Sequence, residues 1–580
     1  MKVNKMQPGG GKFYKGFTLI ELLAVIVILA VVALVATPII MTSVKNAKMS
    51  AANSSALGYI DGVNKSLELN AFEKGETKYA LYTLDDVNTI LSDNIKIQGN
   101  TPTDAIIYVS DNNVVNANIC IDGYNVIYNG DSSEVVGECN TLYKETVLNG
   151  AYPVYSSNLI PVTIDNGKEE DNYATAGKVY KANISSEWYN YNNKQWANAV
   201  ILKESVKDKY KDKPSGTEIS LSDIESYFVW IPKYSYRLFS VTKYTSVISE
   251  KPTTSIGADT IDIRFGTNNT SDTDDTCATP MLSGEIGECE KDKYMTHPAF
   301  ISMNTNGFWV GKFETTGSTI NLSILPGETS LRGTTSNPLP VKTMFELCYN
   351  YKRNNDSHMM KNTEWGAVAY LSHSLYGIGT EVRINNNRDN KTGYAAANGV
   401  KEDCYGSSDC AVIGYTSETG KTQPYNTTDG YTASTTGNIS GIYDMSGGAH
   451  EYMSAYIVDT YVSSGFDAST ISKYNKKYFD VYKSNSIYSS YANMILGDAT
   501  GEIGPFYDYV DKDKNTTNGN YNSRYHNNWY ADHSYFVISS YSWFHRGGTY
   551  YTGVAAGQFY FNKDSGGSFS TVGFRLVLNH

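Results

Sequence analysis

Gly16-Phe17-Thr18-Leu19-Ile20-Glu21 opens an apolar run that continues to Met41 and carries a single charge, that of Glu21. Upstream, residues 1–15 contain Lys2, Lys5, Lys12 and Lys15 and no acidic residue. At about 1.5 Å of rise per residue, a helix over 17–41 is long enough to cross the ~30 Å apolar core of a bilayer. The cationic leader is expected to stay on the cytoplasmic side, so that the rest of the chain is exported. A carboxylate inside a lipid-embedded helix is costly and therefore points to a function. The alternative is an ordinary secretory signal cleaved near Val31-Val32-Ala33; the length of the run and the position of Glu21 inside it argue against that.

The stretch resembles the class III signal of type IV pilins and pseudopilins. That resemblance implies a leader over 1–16, removed by a prepilin peptidase that cuts after Gly16 and methylates the new N-terminal Phe17. It also implies that Glu21, the fifth mature residue, pairs with the terminal amine of a neighbouring pilin subunit in a filament. One long helix is expected over 17–69, kinked or locally melted at Pro38. Past Met41 it turns polar but keeps Val44, Ala47, Ala51, Ala56 and Ile60 at near-helical spacing, which suits packing on a small head over 70–148.

In that head, Thr83 is expected to cap a short helix to Leu91. Strands follow at Ala105–Ser110, Val114–Ile121, Tyr124–Tyr128 and Glu134–Val136. Asp122-Gly123 and Asn129-Gly130 are strong hairpin turns between them. Residues 149–176 read as a linker or collar strand, ahead of a large unit over 177–580.

The 580 residues suggest three or so domains, and a net charge of −12 disfavours nucleic acid as a partner. Tyr is used 48 times against 19 Phe, a bias shared by paratope-like surfaces and by extracellular β-rich proteins in general. Among seven Cys, three local pairs stand out: Cys120 with Cys139, Cys277 with Cys289, and Cys404 with Cys410. In an exported chain these are expected as disulfides, leaving Cys348 as a buried free thiol. Zinc is the rival, but no CxxC or clustered His accompanies them, and no metal site is expected.

The large unit carries a second set of strings. Tyr227-Phe228-Val229-Trp230-Ile231-Pro232 reads as a strand stopped by proline, and Gly307 to Thr316 as another. His358 to Leu371 reads as a helix capped at Asn362 or Thr363, with Trp365, Val368, Ala369 and Leu371 on its apolar face. Gly441-Ile442-Tyr443-Asp444-Met445-Ser446-Gly447-Gly448-Ala449-His450-Glu451-Tyr452, then Arg546-Gly547-Gly548 and a closing Gly573-Phe574-Arg575 complete the set. In this order they resemble the formylglycine-generating-enzyme-like (sulfatase-modifying-factor) branch of the C-type lectin fold. Gly448 stands where that family has Asn, and His450-Glu451-Tyr452 replaces a Trp-Glu-Trp-like ending, which counts against calcium or catalysis at this turn. The family's oxidases use a C-terminal Cys pair to hold copper; here no Cys follows Cys410, so no cofactor and no catalytic residue are expected. Asp511-Lys512-Asp513-Lys514-Asn515 starts like a calcium loop, but Thr516 stands at the turn glycine.

Between Gly519 and Val577, Asn, Tyr, Ser, Asp and His alternate with scaffold-like Gly, Ala and Phe. This resembles the variable region of retroelement-diversified proteins of the same lectin branch; an invariant, Tyr-rich lectin-fold core is the alternative. The expected ligand contacts are Asn528, Trp529, Tyr530, His533, Tyr535, Trp543, His545, Tyr550 and Tyr551, with Trp543 also suited to a core position. The expected molecule is α+β: a long N-terminal transmembrane helix with a small antiparallel-sheet pilin head, then a large irregular C-type lectin-like domain. Its expected role is a minor or tip subunit on the cell surface, adhering to a surface protein or glycan. The alternatives are a structural pseudopilin of a secretion or competence machine, or a divergent oxidoreductase.

Overall fold

The computed structural model describes residues 18–74, 80–139, 153–167, 175–237, 261–265, 295–397, 421–482 and 532–579, with short gaps inside some of these ranges. The chain divides into two compact units, one ending at Cys139 and the other containing Asn140–His580.

The first unit is built on the helix Leu19–Lys74, which runs on past the expected end and continues through Pro38 without interruption. Its second half buries Ala52, Ala56, Tyr59, Ile60, Val63 and Leu67, three or four residues apart, so one stripe faces a core. Ile107, Ala117, Ile119, Ile121 and Val126 supply buried positions on the accompanying sheet. That sheet is ordered Ala80–Thr83, Asp104–Ser110, Asn113–Ile121, Tyr124–Tyr128, Ser133–Glu138. Four of these strands follow the expected boundaries closely. Ala80–Thr83 was not foreseen, since Thr83 closes a strand; most of the helix expected after it lies outside the described residues. Asp122 and Gly123 both have positive φ, 54° and 80°, as a two-residue primed hairpin turn requires.

Among the described residues no helix is long and apolar enough to cross a membrane. The span expected over 17–41 is therefore not found among the described residues. What the helix does show there is exposure, with Leu19 at 85%, Ile20 at 77% and Leu34 at 78%.

In the second unit an eight-stranded sheet is ordered His358–Met359, Leu576–Leu578, Gly307–Gly311, Ile224–Pro232, Asn198–Leu202, Ile160–Ile164, Val179–Lys181, Glu218–Ile219. Ile160–Ile164, inside the stretch read as a linker or collar, is thus an internal strand. Ile224–Pro232 is buried along nearly its whole length because sheet neighbours and core cover it, and it stops at the proline as expected. Gly307 lies opposite Pro232, and a Cβ there would sit 2.2 Å from the Trp230 ring, so only glycine lets the strands close.

A second sheet centres on His450–Ile457. This strand pairs in parallel with Asp480–Tyr482 and Val572–Phe574 and antiparallel with Trp543–Gly547, which pairs in turn with Gly557–Asp564. The helix Asn362–Ser372 is buried on every side and shares one core with both sheets, through Val229, Phe308, Trp365, Val368, Met453, Phe544, Phe561 and Val577. Its cap is Lys361, not Asn362 or Thr363. Glu364 reaches back to accept from the Lys361 N–H (2.9 Å), and Asp480 accepts from the Thr363 N–H (2.7 Å).

Cys120 and Cys139 form the expected disulfide, with Cα atoms 5.4 Å apart, and Cys348 is a buried free thiol. Cys277, Cys289, Cys404 and Cys410 lie outside the described residues. Replacing Cys120 and Cys139 together by Ser is expected to lower the urea midpoint of the first unit. Loop closure over 19 residues corresponds to about 3 kcal/mol. Cys348 should stay unlabelled by a thiol reagent until the second unit unfolds.

Candidate functional site

Three of the strings singled out in the large unit, residues 307–316, 441–452 and 573–575, converge on one buried charged cluster. Arg575 lies between Val572–Phe574, which belongs to the second sheet, and Leu576–Leu578, which belongs to the eight-stranded sheet. It is therefore the residue at which the chain passes from one sheet to the other. Its guanidinium donates through Nε and Nη2 to the two carboxylate oxygens of Glu451, through Nη1 to the Gly311 carbonyl (2.8 Å), and through Nη2 to the Tyr443 carbonyl (3.0 Å). Glu451 and Arg575 are both fully buried. Such a pair tolerates removal from water only when its remaining hydrogen-bonding capacity is used, and the two carbonyls use it.

Two more carboxyls share this interior. Asp444 accepts from Asn385 Nδ2 (2.8 Å) and from the Gly393 N–H (2.8 Å). Among the described residues, Glu314 accepts from the Ala449 N–H alone (2.9 Å). Burial, with Asp444 and Glu451 nearby, pushes the Glu314 carboxyl well above the usual carboxylate range. Gly448 has φ of +68°, and a Cβ there would lie 2.4 Å from Glu314 Oε1. The residue that departs from the expected Asn is thus the one that makes room for this carboxyl.

A second polar network holds the buried helix. His358 Nε2 bonds Glu364 Oε1 (2.9 Å), Lys361 Nζ pairs with Asp480 Oδ1 (3.0 Å), and Arg546 Nη1 donates to Asn362 Oδ1 (3.0 Å). Trp365 Nε1 donates to the Gln558 carbonyl (2.6 Å). These contacts explain the strings around Asn362–Trp365 and Arg546 as scaffold. Among the described residues no group of three or more His, Cys, Asp or Glu is arranged to hold a metal ion.

The expected ligand residues fall into three groups. Trp543 is fully buried, stacked on Tyr456 and Phe466 with ring centroids 5.1 and 5.7 Å away; it is a core residue. His533 and His545 are 2% and 3% exposed and pack around Tyr560. The run Trp543–Gly547 is an interior strand with every residue buried, which removes Trp543 and His545 from solvent. At the surface are Tyr551, 42% exposed, and the half-buried Tyr550 against its edge. Asn528, Trp529, Tyr530 and Tyr535 lie outside the described residues. Sequence reasoning missed the Glu314, Asp444, Glu451 and Arg575 cluster, although Glu451 and Arg575 both stand inside the quoted strings.

At the other end of the chain, Glu21 has a partner in its own helix. The Thr18 N–H and Oγ1 both donate to Glu21 Oε2 (2.8 and 2.9 Å), and the Glu21 N–H donates to Thr18 Oγ1 (3.3 Å). This is a capping box at the helix start. Gly16 and Phe17 lie outside the described residues.

Residues 12–37 match the prokaryotic N-terminal methylation motif, so the N-terminus is of the type IV prepilin kind. No curated protein matches the chain.

Arg575→Met is expected to destabilise the second unit by about 3–5 kcal/mol, because it strands a buried carboxylate and two carbonyls. Adding Glu451→Met should recover only part of that, since the Gly311 and Tyr443 carbonyls stay unpaired; urea denaturation of the three variants reads the difference. Stability should also fall on acidification. Burial lowers His373 and His545 from an ordinary 6.5 to about 4. Groups depressed in the folded state stabilise it fully above pH 6.5 and progressively less as pH falls towards 4, by roughly 3 kcal/mol for each. His545→Phe, measured at pH 7 and pH 5, should show a smaller drop in urea midpoint than the parent chain.

Proposed function

We propose that this chain is a processed, membrane-anchored pilin-type subunit whose large unit is a display domain for adhesion at the cell surface. The match of residues 12–37 to the methylation motif carries this reading. The exposed apolar side chains from Leu19 to Val44 support it, since they have the character of a surface that lipid or neighbouring helices would cover. A prepilin peptidase and other pilin subunits are the implied partners. The large unit is read as binding rather than catalytic: its buried charges are used in joining sheets, and no Cys follows Cys410 to hold copper.

The test is mass spectrometry of the mature N-terminus. A chain beginning at methylated Phe17 is expected; one beginning near Leu34 or Thr37 would replace this reading with an ordinary secretory signal. Glu21→Gln provides a second test, because Gln keeps the capping box while removing the charge. The variant should remain expressed and inserted yet enter filaments at least tenfold less. Normal incorporation would show the charge to be dispensable. Replacing Trp529 and Tyr530 by Ala should abolish adhesion without shifting the thermal midpoint, whereas Trp543→Ala should lower that midpoint by several degrees, consistent with a cavity cost of about 3–5 kcal/mol.

A further inference from the structure

A cleft of about 880 Å³ opens between the hairpin Thr316–Gly317/Leu322–Ser323 and the last turns of the helix Val341–Tyr351. That volume lies within the range of small-ligand sites. Its lip is shaped by the hairpin turn. The Ser318 N–H donates to the Asn321 carbonyl (2.9 Å), and the Thr316 and Ser323 hydroxyls bond across the strands (2.8 Å). This turn holds Ile320 out at 87% exposure, although an isoleucine gains nothing from facing water. Leu322, Leu325 and Leu347 line the same cleft, so four aliphatic side chains surround it.

Of the charges lining the cleft, Glu204, Glu225 and Glu346 each pair with a lysine, while Lys203 has no ion pair among the described residues. Lys352 Nζ lies 3.2 Å from Glu225 Oε1, and the Tyr351 hydroxyl donates to that same oxygen (2.7 Å). Lys342 Nζ lies 2.8 Å from Glu346 Oε1, which also accepts from the Tyr474 hydroxyl. Each carboxylate is therefore held through one oxygen and leaves the other without a described partner. The side chains of Thr319, Asn321, Thr343 and Asn350 also line the cleft and have no hydrogen-bond partner among the described residues. The lining thus offers donors, acceptors and aliphatic surface with its charges largely compensated.

We propose that this cleft binds a saccharide. A sugar hydroxyl both donates and accepts, which suits carboxylate oxygens interleaved with amides and hydroxyls, and the C–H faces of the ring suit Ile320, Leu325 and Leu347. Compensated charges disfavour a strongly ionic ligand. A peptide added as a strand needs a sheet edge, and each hairpin strand here is two residues long. The site is separate from the Tyr550–Tyr551 surface, and its biological use rests on the adhesive reading above.

The test applies the purified full chain, in detergent, to immobilised oligosaccharide and peptide arrays beside three variants. Ile320→Arg changes the exposed lip, Asn350→Trp fills the cleft from an exposed position, and Tyr551→Ala alters the other surface. The parent should retain at least one oligosaccharide. Ile320→Arg and Asn350→Trp should each weaken that retention tenfold or more with unchanged thermal midpoints, and Tyr551→Ala should not. Retention insensitive to the two cleft variants overturns the site. Retention lost only in Tyr551→Ala overturns the site while keeping the adhesive reading. Cleft-dependent retention of peptides and no saccharide overturns the ligand class, and no retention on either array overturns both the site and the adhesive reading.

Discussion

The ion pair between Glu451 and Arg575 is the constraint on which the large unit depends. A guanidinium and a carboxylate without solvent are a net cost unless every remaining donor is used. Here the donors left over reach the Gly311 and Tyr443 carbonyls, so one side chain ties together a strand of the eight-stranded sheet, an irregular turn and the central strand of the second sheet. Arg575 can do this because it sits between two three-residue strands that belong to different sheets. Neighbouring carboxyls follow from the same arrangement. Asp444 is satisfied by an amide side chain and a backbone N–H, and burial beside it pushes the Glu314 carboxyl upward.

Much of the first unit was legible because its signals are local. Alternating residues, Asp122-Gly123 and two cysteines 19 residues apart identify a meander and its staple before any long-range contact is considered. Ala80–Thr83 was not legible, because Thr83 reads equally well as a helix cap and a strand's pairing partner is invisible in its own sequence. The cap of Asn362–Ser372 was misplaced for a related reason. Asp480, more than a hundred residues away, accepts from the Thr363 N–H, so the helix does not need a capping side chain at Asn362 or Thr363.

The candidate ligand surface divides along the same line. Composition marks Trp543 and His545 as recognition residues, yet sheet pairing on both sides of Trp543–Gly547 puts them inside. Aromatic and imidazole side chains serve cores and interfaces equally well, and only neighbouring strands decide between the two uses. Glu451 and Arg575 were in view as letters of two strings, but their pairing spans 124 positions and has no local signature.

The capping box at the head of the long helix engages one carboxylate oxygen of Glu21, Oε2, while Oε1 has no described partner. On the proposed pilin reading, the side chain would serve its own helix and an incoming ammonium at the same time, one oxygen for each. Docking of a second subunit then need not unwind the first turn of the helix that receives it. The helix start would act as a preformed receptor, and the free energy of ordering it would be spent in the isolated subunit, before any neighbour arrives.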